Sequence, residues 1–126
     1  MGKISVLIVD AHSQVRELLV RRLDAQPDFT VVAHTGDPTV AADLAWFWEP
    51  DVILLDIKRA DSGGLESCRS IARASPSSRL VIFTSYLQPE EEELYRKLGA
   101  CTCLVKSIGL NSLLRGLRTL ARAKVS

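Results

Sequence analysis

The feature that most constrains the fold is a fivefold alternation of short apolar runs with stretches of helical spacing. The apolar runs are almost continuously hydrophobic, as is typical of strands buried on both faces of a sheet. They are Ile4–Val9, Phe29–Ala33, Val52–Leu55, Leu80–Phe83 and Cys103–Val105. The sequence therefore predicts an α/β chain in which each strand is followed by a helix.

The segments between the strands carry their own helix signals. Asp37 and Gln88 each precede a proline, Pro38 and Pro89, which is typical of a helix that begins with a capping residue. Gly99 is placed to end the helix that Pro89 begins. The last stretch has the clearest apolar stripe, formed by Leu110, Leu113, Leu114, Leu117 and Ala121. These signals predict the boundaries of several helices.

This alternation predicts one domain, residues 1–126, with a flavodoxin-like, doubly wound (βα)5 fold. We expect a five-stranded parallel sheet of order 2-1-3-4-5 with helices on both faces. In such sheets the ligand site lies beyond the carboxyl ends of strands 1 and 3. Asp10 follows the first strand and Asp56 follows the third. The loops after strands 4 and 5 bring Thr84 and Lys106 to the same edge.

The charge balance and the apolar runs exclude other classes of protein. The 16 basic and 15 acidic residues give a net charge of +1, which argues against a dedicated nucleic-acid surface. No apolar run approaches the roughly 20 residues that span a bilayer. The first run ends at Asp10 instead of continuing as a signal peptide would. We therefore expect a cytoplasmic protein without a membrane segment.

The three cysteines do not have the spacing of a metal site. Cys101 and Cys103 form a C-x-C pair with no second pair or nearby histidine, and Cys68 stands alone. We interpret all three as buried small hydrophobic residues in a reducing compartment.

The four polar residues at the strand ends suit phosphoryl transfer. A carboxylate such as Asp56 can act as a nucleophile and form an acyl phosphate. The reaction needs charge neutralisation and positioning, which Mg²⁺ held by carboxylates supplies. Lys106 could pair with a phosphoryl oxygen, and the Thr84 hydroxyl could donate to another. Asp10 and Asp56 would then hold the metal.

The sequence resembles the receiver domain of two-component response regulators over nearly its whole length. The resemblance rests on "VLIVDAH", "PDVILLDI", "GGLES", "RLVIFTS", "KLGACTCLVK" and the final leucine-rich helix. The surroundings of the first aspartate and of the final lysine are most similar to receivers that are joined to a helix-turn-helix output domain. The resemblance implies signalling by phosphorylation, with no enzymatic activity beyond self-phosphorylation and self-dephosphorylation.

The resemblance also implies a role for each site residue. Asp56 would be the phosphoacceptor, and Asp10 would belong to the acidic pocket that holds Mg²⁺. Lys58 would offer its backbone carbonyl to the metal. Thr84 would be the switch hydroxyl, and Lys106 would pair with the phosphoryl group.

The partners implied by the resemblance are a histidine kinase or phosphotransfer protein and a second copy of the chain. Homodimerisation would use the last two helices. DNA would be bound only through an output domain that this chain does not contain.

Ala11 is the main departure from the family pattern. The family usually has two adjacent acids after strand 1, and the second is the more direct metal ligand. Ala11 therefore implies that Mg²⁺ binds weakly. Alternatively, the Lys58 ammonium would neutralise the two carboxylates, Asp10 and Asp56, in place of the metal. Cys103 replaces the aromatic switch residue that the family carries three residues before the lysine.

Two alternatives follow from these departures. The chain could be a pseudo-receiver that acts by protein–protein contact without phosphorylation. Ala11, Ala60 and Cys103 favour this alternative, and the presence of Asp56, Thr84 and Lys106 disfavours it. A small flavodoxin-like enzyme or nucleotide binder is disfavoured because no glycine-rich phosphate loop follows strand 1. At single positions, Asp10 could be only a helix N-cap, and His12 is interpreted as a surface residue.

An aromatic run, "WFW" at 46–48, stands out on the second helix. The helical stripe places Trp48 with Ala41 and Leu44 in the core. Trp46 and Phe47 then face outward, either partly covered by a neighbouring loop or as a partner surface.

Overall fold

The computed structural model, which describes residues 2–57 and 62–123, has five parallel strands in one sheet of order β2-β1-β3-β4-β5. The strands are β1 (Ile4–Val9), β2 (Phe29–Thr35), β3 (Val52–Leu55), β4 (Arg79–Thr84) and β5 (Thr102–Val105). The helices are α1 (Ser13–Asp24), α2 (Pro38–Trp48), α3 (Ser62–Ala74), α4 (Pro89–Lys97) and α5 (Leu110–Ala123). The predicted flavodoxin-like fold and its strand order are confirmed.

The strands alternate their side chains between two hydrophobic clusters, one on each face of the sheet. One cluster packs under α2, α3 and α4, and its strand residues are Leu7, Val9, Ile53, Leu55, Leu80 and Ile82. The other packs under α1 and α5, and its strand residues are Val6, Ile8, Phe29, Val52, Leu54, Val81 and Phe83. Because the inner strands β1, β3 and β4 are buried on both faces, polar groups concentrate where these strands end.

The predicted helix boundaries have visible causes. The Asp37 carboxylate accepts hydrogen bonds from the Thr39 backbone N–H at 2.9 Å and from the Thr39 hydroxyl at 2.7 Å. The backbone N–H of Gln88 donates to Glu91 Oε1 at 3.1 Å, which closes the start of α4. Gly99 has a φ of +118°, and a Cβ there would lie 2.5 Å from the Ala72 Cβ. A glycine is therefore required after α4.

All three cysteines are free thiols, and the predicted burial is confirmed in full for Cys68 alone. Cys68 is fully buried, and Cys101 and Cys103 are half-buried. Burial raises the pKa of the Cys68 and Cys103 thiols to about 11, which keeps them protonated and unreactive at neutral pH.

The aromatic run at the end of α2 corrects two predictions. Trp46 and Phe47 face outward with 69% and 68% exposure, so partial burial under a loop is wrong for both. The prediction that Trp48 is core is also wrong, since it is 45% exposed. Trp48 is the last residue of α2, and Glu49 beyond it turns into the left-handed region at φ 43°. The Trp48 ring packs edge-on against Phe47, at 5.2 Å between centroids. A partner surface there stays a prediction.

No helix among the described residues has both the length and the apolar character needed to cross a lipid bilayer.

Candidate functional site

The sheet register brings Asp10 and Asp56 side by side. Val9 of β1 is paired with Leu55 of β3, so the aspartates that follow occupy neighbouring positions at the carboxyl edge. The Asp56 backbone N–H also donates to the Val9 carbonyl at 2.9 Å, so the pairing of β1 with β3 continues as far as Asp56. The two carboxylates predicted to converge therefore do so through the strand register.

Asp10 is a buried anchor of the site, with 2% of its surface exposed. Its Oδ1 accepts the backbone N–H of His12 at 2.9 Å, and its Oδ2 accepts Lys106 Nζ at 2.7 Å. The residue at the N-cap position of α1 is His12, so the alternative that Asp10 is that cap is wrong. The carboxylate instead fixes the β1–α1 turn and pairs with a cation.

Lys106 supplies the cation of the site. It follows β5 directly and begins a 3-10 turn, Lys106–Ile108, that aims its side chain back across the sheet edge. Its Nζ lies 2.7 Å from Asp10 Oδ2 and 3.4 Å from Asp56 Oδ2, and the side chain is 17% exposed. One ammonium thus faces two carboxylates, and these three groups together carry a net charge of −1.

Asp56 has the least compensated charge of the site. Its side chain is 6% exposed. Burial raises the pKa of the Asp56 carboxyl above its ordinary value, although the Lys106 ammonium lowers it again. The Asp10 carboxylate raises that pKa, and His12 lowers it to a smaller extent. Lys106 does not fully neutralise the Asp10 and Asp56 carboxylates, so a further cation bound at Asp56 would be stabilised by the remaining negative charge.

Thr84 and Ser85 border the same carboxylate. Thr84 ends β4 and is 3% exposed, and its Oγ1 donates to the Ile57 carbonyl at 2.8 Å. Together with His12, Asp56 and Tyr86, the two hydroxyl residues line a cavity of about 330 Å³. The structure thus brings Thr84 beside Asp56, with its hydroxyl bonded to the backbone one residue after the carboxylate.

Replacing Thr84 with valine tests this hydrogen bond. Valine keeps the shape but leaves the Ile57 carbonyl without this donor, so we expect the free energy of unfolding to fall by about 1–2 kcal/mol. Thr84→Ser keeps the hydroxyl, so its free energy of unfolding should fall by less than that of Thr84→Val. Urea denaturation of the three proteins measures the difference. Equal stability of wild type and Thr84→Val would show that the hydroxyl contributes nothing here.

Ala11 lies where a second acid would be expected. It is exposed and lines a cleft of about 720 Å³ that also borders Asp10, Asp56 and Gly63. A methyl group contributes no metal ligand at this wall. The carboxylate ligands available in the described part of the site are therefore those of Asp10 and Asp56.

The two carboxylates fit Mg²⁺, which binds through one or two carboxylates and completes its shell with water. Asp10 and Asp56 would hold it. Lys58, whose backbone carbonyl is the third predicted ligand, lies outside the described residues.

His12 is the residue of this site that the sequence did not reveal. The prediction that it is a surface residue is confirmed, since its side chain is 54% exposed. Yet its Nδ1 lies 3.5 Å from Asp10 Oδ1 and 3.9 Å from Asp56 Oδ2. The only available signal was its position two residues after Asp10, in the turn that leads into α1.

Comparisons with known proteins agree with this arrangement. Residues 6–118 match the family model described as the response regulator receiver domain. The chain is 32% identical over 104 residues to the transcriptional regulatory protein LiaR of Bacillus subtilis, covering 82% of this chain and 49% of LiaR. It is 35% identical to the DNA-binding transcriptional activator DevR/DosR of Mycobacterium tuberculosis, covering 83% of this chain and 48% of that protein. The chain thus spans about half the length of these curated relatives.

Among solved structures, a LuxR-family two-component response regulator from Aurantimonas sp. superimposes with a TM-score of 0.86 at 25% identity. The superposition covers 97% of this chain and 87% of that one.

Proposed function

This chain belongs to the family of response regulator receiver domains, and we propose that residues 1–126 act as one receiver that accepts a phosphoryl group on Asp56. The donor would be a histidine kinase or phosphotransfer protein. The observation that carries the proposal is the placement of the Asp56 carboxylate, largely buried, within 3.4 Å of Lys106 Nζ and beside Asp10.

The chemistry follows from these positions. An Asp56 oxygen attacks the phosphorus of a phosphohistidine, a new P–O bond forms, and the P–N bond breaks with its electron pair returning to the imidazole. A bound Mg²⁺ would neutralise the charge that spreads over the phosphoryl oxygens. Lys106 would move its ammonium from the carboxylates to a phosphoryl oxygen. Because Lys106 Nζ already lies 3.4 Å from Asp56 Oδ2, this movement is short.

Thr84 is proposed as the switch hydroxyl. In the structure its Oγ1 donates to the Ile57 carbonyl, and reaching a phosphoryl oxygen requires that hydrogen bond to break. The phosphoryl group can shift the conformation only by the difference between the interactions it makes in the two states. Breaking the hydrogen bond to Ile57 is therefore part of the free-energy cost that phosphorylation has to offset to change the conformation.

The signal is proposed to leave through α4, β5 and α5, with homodimerisation as one outcome. Any DNA binding would reside in an additional domain, since the matched transcriptional regulators are about twice as long as the match. A cytoplasmic location is proposed on the same family grounds.

The pseudo-receiver is the second candidate function. The observation that favours it is Ala11, because Asp10 is then the one aspartate besides Asp56 among the described residues that line the cleft. In this alternative the domain would act by protein contact alone, and the charged cluster would serve stability.

Incubation with acetyl phosphate and Mg²⁺, followed by intact mass measurement, separates the two functions. We expect a phosphoryl adduct in the wild type that Asp56→Asn abolishes. Asp43→Asn, an exposed aspartate of α2, is the matched control and should be modified like wild type. Absence of an adduct in every protein, together with no thermal stabilisation by beryllofluoride and Mg²⁺, would overturn phosphorylation and support the pseudo-receiver.

A further inference from the structure

We propose that His12 is a nitrogen ligand of the metal site, so that the site binds a first-row transition ion such as Co²⁺ or Zn²⁺ in preference to Mg²⁺. The ligands would be Asp10, His12 and Asp56. The inference deepens the proposed function, on which it rests for the role of a metal at Asp56, because it names the class of ion that loads the site.

The three candidate ligand atoms already have the spacing of one coordination sphere. All of them lie within 4.8 Å of one another. Around an ion at about 2.1 Å from each ligand, neighbouring ligand atoms stand about 3.0–3.4 Å apart and opposite ones about 4.2 Å. The distances from His12 Nδ1, 3.5 Å to Asp10 and 3.9 Å to Asp56, fall within that span. Small rotations of the side chains would complete the sphere.

The same distances disfavour a simple hydrogen-bonded histidine. N–H···O hydrogen bonds are typically about 2.7–3.2 Å long, and the imidazole is farther than that from both carboxylates. The observed gap is too long for a direct hydrogen bond and suits an ion shared by the three groups.

Lys106 does not occupy the Asp10 oxygen that would bind the metal. It contacts Asp10 Oδ2, whereas Oδ1 is the oxygen on the side of His12. The backbone N–H of His12 donates to that same Oδ1 at 2.9 Å, which leaves it one further lone pair. This hydrogen bond also holds the imidazole's own residue beside the carboxylate. One aspartate can thus pair with Lys106 and bind a metal at the same time.

The ligand chemistry decides which ion benefits. Mg²⁺ favours carboxylate, carbonyl and water ligands, whereas imidazole suits Zn²⁺, Cu²⁺, Fe²⁺ and Ni²⁺. With Ala11 in place of an acid, the two carboxylates and Lys106 leave a net charge of only −1 for a hard cation. A transition ion gains a nitrogen bond from His12 that Mg²⁺ uses poorly, and its affinity for such sites follows the Irving–Williams order.

Equilibrium titration of the unphosphorylated protein with Co²⁺ and, separately, with Mg²⁺ tests the proposal. We expect Co²⁺ to bind at least about 10-fold more tightly, with visible absorption bands of nitrogen and oxygen coordination and no thiolate charge-transfer bands. His12→Ala should weaken Co²⁺ binding by about 10–100-fold and leave Mg²⁺ affinity unchanged. His12→Gln, which keeps a polar side chain without an imidazole, should behave like His12→Ala.

His34→Ala is the matched control, because His34 is the other histidine of the chain and is exposed on β2. It should bind Co²⁺ like wild type. Equal Co²⁺ affinity in wild type and His12→Ala, or Mg²⁺ binding as tight as Co²⁺ binding, would overturn the proposal. If the protein were phosphorylated in Mg²⁺ but its Co²⁺ binding did not depend on His12, only this inference would be removed. His12-dependent Co²⁺ binding without any phosphoryl adduct would remove only the proposed function.

Discussion

Replacing Ala11 with aspartate is expected to tighten Mg²⁺ binding by about 10–100-fold, because the new carboxylate would stand beside Asp10 at the wall of the cleft. Loss of a partner in the outer shell alone typically costs a metal site that much, and a restored direct ligand should contribute at least as much. The negative charge of the site would rise from −1 to −2. Calorimetric titration with Mg²⁺ measures the affinity, and the rate of adduct formation with acetyl phosphate measures its consequence.

Ala25→Asp controls for the added charge. Ala25 is exposed just beyond the end of α1, and α1 runs away from the carboxyl edge of the sheet, so its charge lies far from the metal. If Ala25→Asp tightened Mg²⁺ binding as much as Ala11→Asp, the effect would be long-range attraction and not ligation.

The Ala11→Asp variant also bears on the choice between the two candidate functions. A wild type that forms no adduct and an Ala11→Asp variant that does would identify Ala11 as the cause of a silent receiver. Asp56, Thr84 and Lys106 would then be a working set that lacks only one ligand. If neither protein formed an adduct, the defect would lie elsewhere and the pseudo-receiver would gain support.

The convergence of Asp10, Asp56, Thr84 and Lys106 could be predicted from the sequence because each directly ends or follows a parallel strand. Strand register is determined by hydrophobic pairing over several residues, and a residue at a strand end inherits its position from the whole strand. The sheet order is that of the five-stranded doubly wound fold, in which a helix on each connection gives a right-handed crossover. These are properties that survive changes in individual side chains.

Such averaging stops at Trp48, whose predicted burial is wrong, and at His12, whose approach to the two carboxylates was not predicted. Trp48 fits the helical stripe, but α2 ends at that residue, and the chain then turns at Glu49 away from the helical path. His12 lies in the three-residue connection between β1 and α1, where neither the strand period nor the helix period fixes a side-chain direction. Its direction comes instead from the hydrogen bond between its own N–H and Asp10.

Replacing Lys106 with methionine is expected to lower the free energy of unfolding by about 3 kcal/mol in the absence of metal ions. Methionine fills the space beside the Phe83 ring, 6.0 Å from the ammonium, so packing changes little. The loss is electrostatic, because Asp10 and Asp56 are then left as two largely buried carboxylates without their cation. Removing one partner of a buried pair costs roughly 3–5 kcal/mol, and the 17% exposure of Lys106 places the expectation at the lower end. Urea denaturation in a chelating buffer measures it.

Lys97→Met, at the exposed end of α4, should change stability by less than about 0.5 kcal/mol and is the matched control. Adding Asp10→Asn to Lys106→Met removes one of the two unpaired charges, so the double variant should recover much of the loss. A divalent ion should also stabilise Lys106→Met more than wild type, because it binds only the folded site and neutralises the same carboxylates. If Lys106→Met were as stable as Lys97→Met, the acidic pair would not depend on Lys106 for its compensation. The short movement of Lys106 from carboxylates to a phosphoryl oxygen would then lose its energetic basis, since the ammonium would have no strong interaction to exchange.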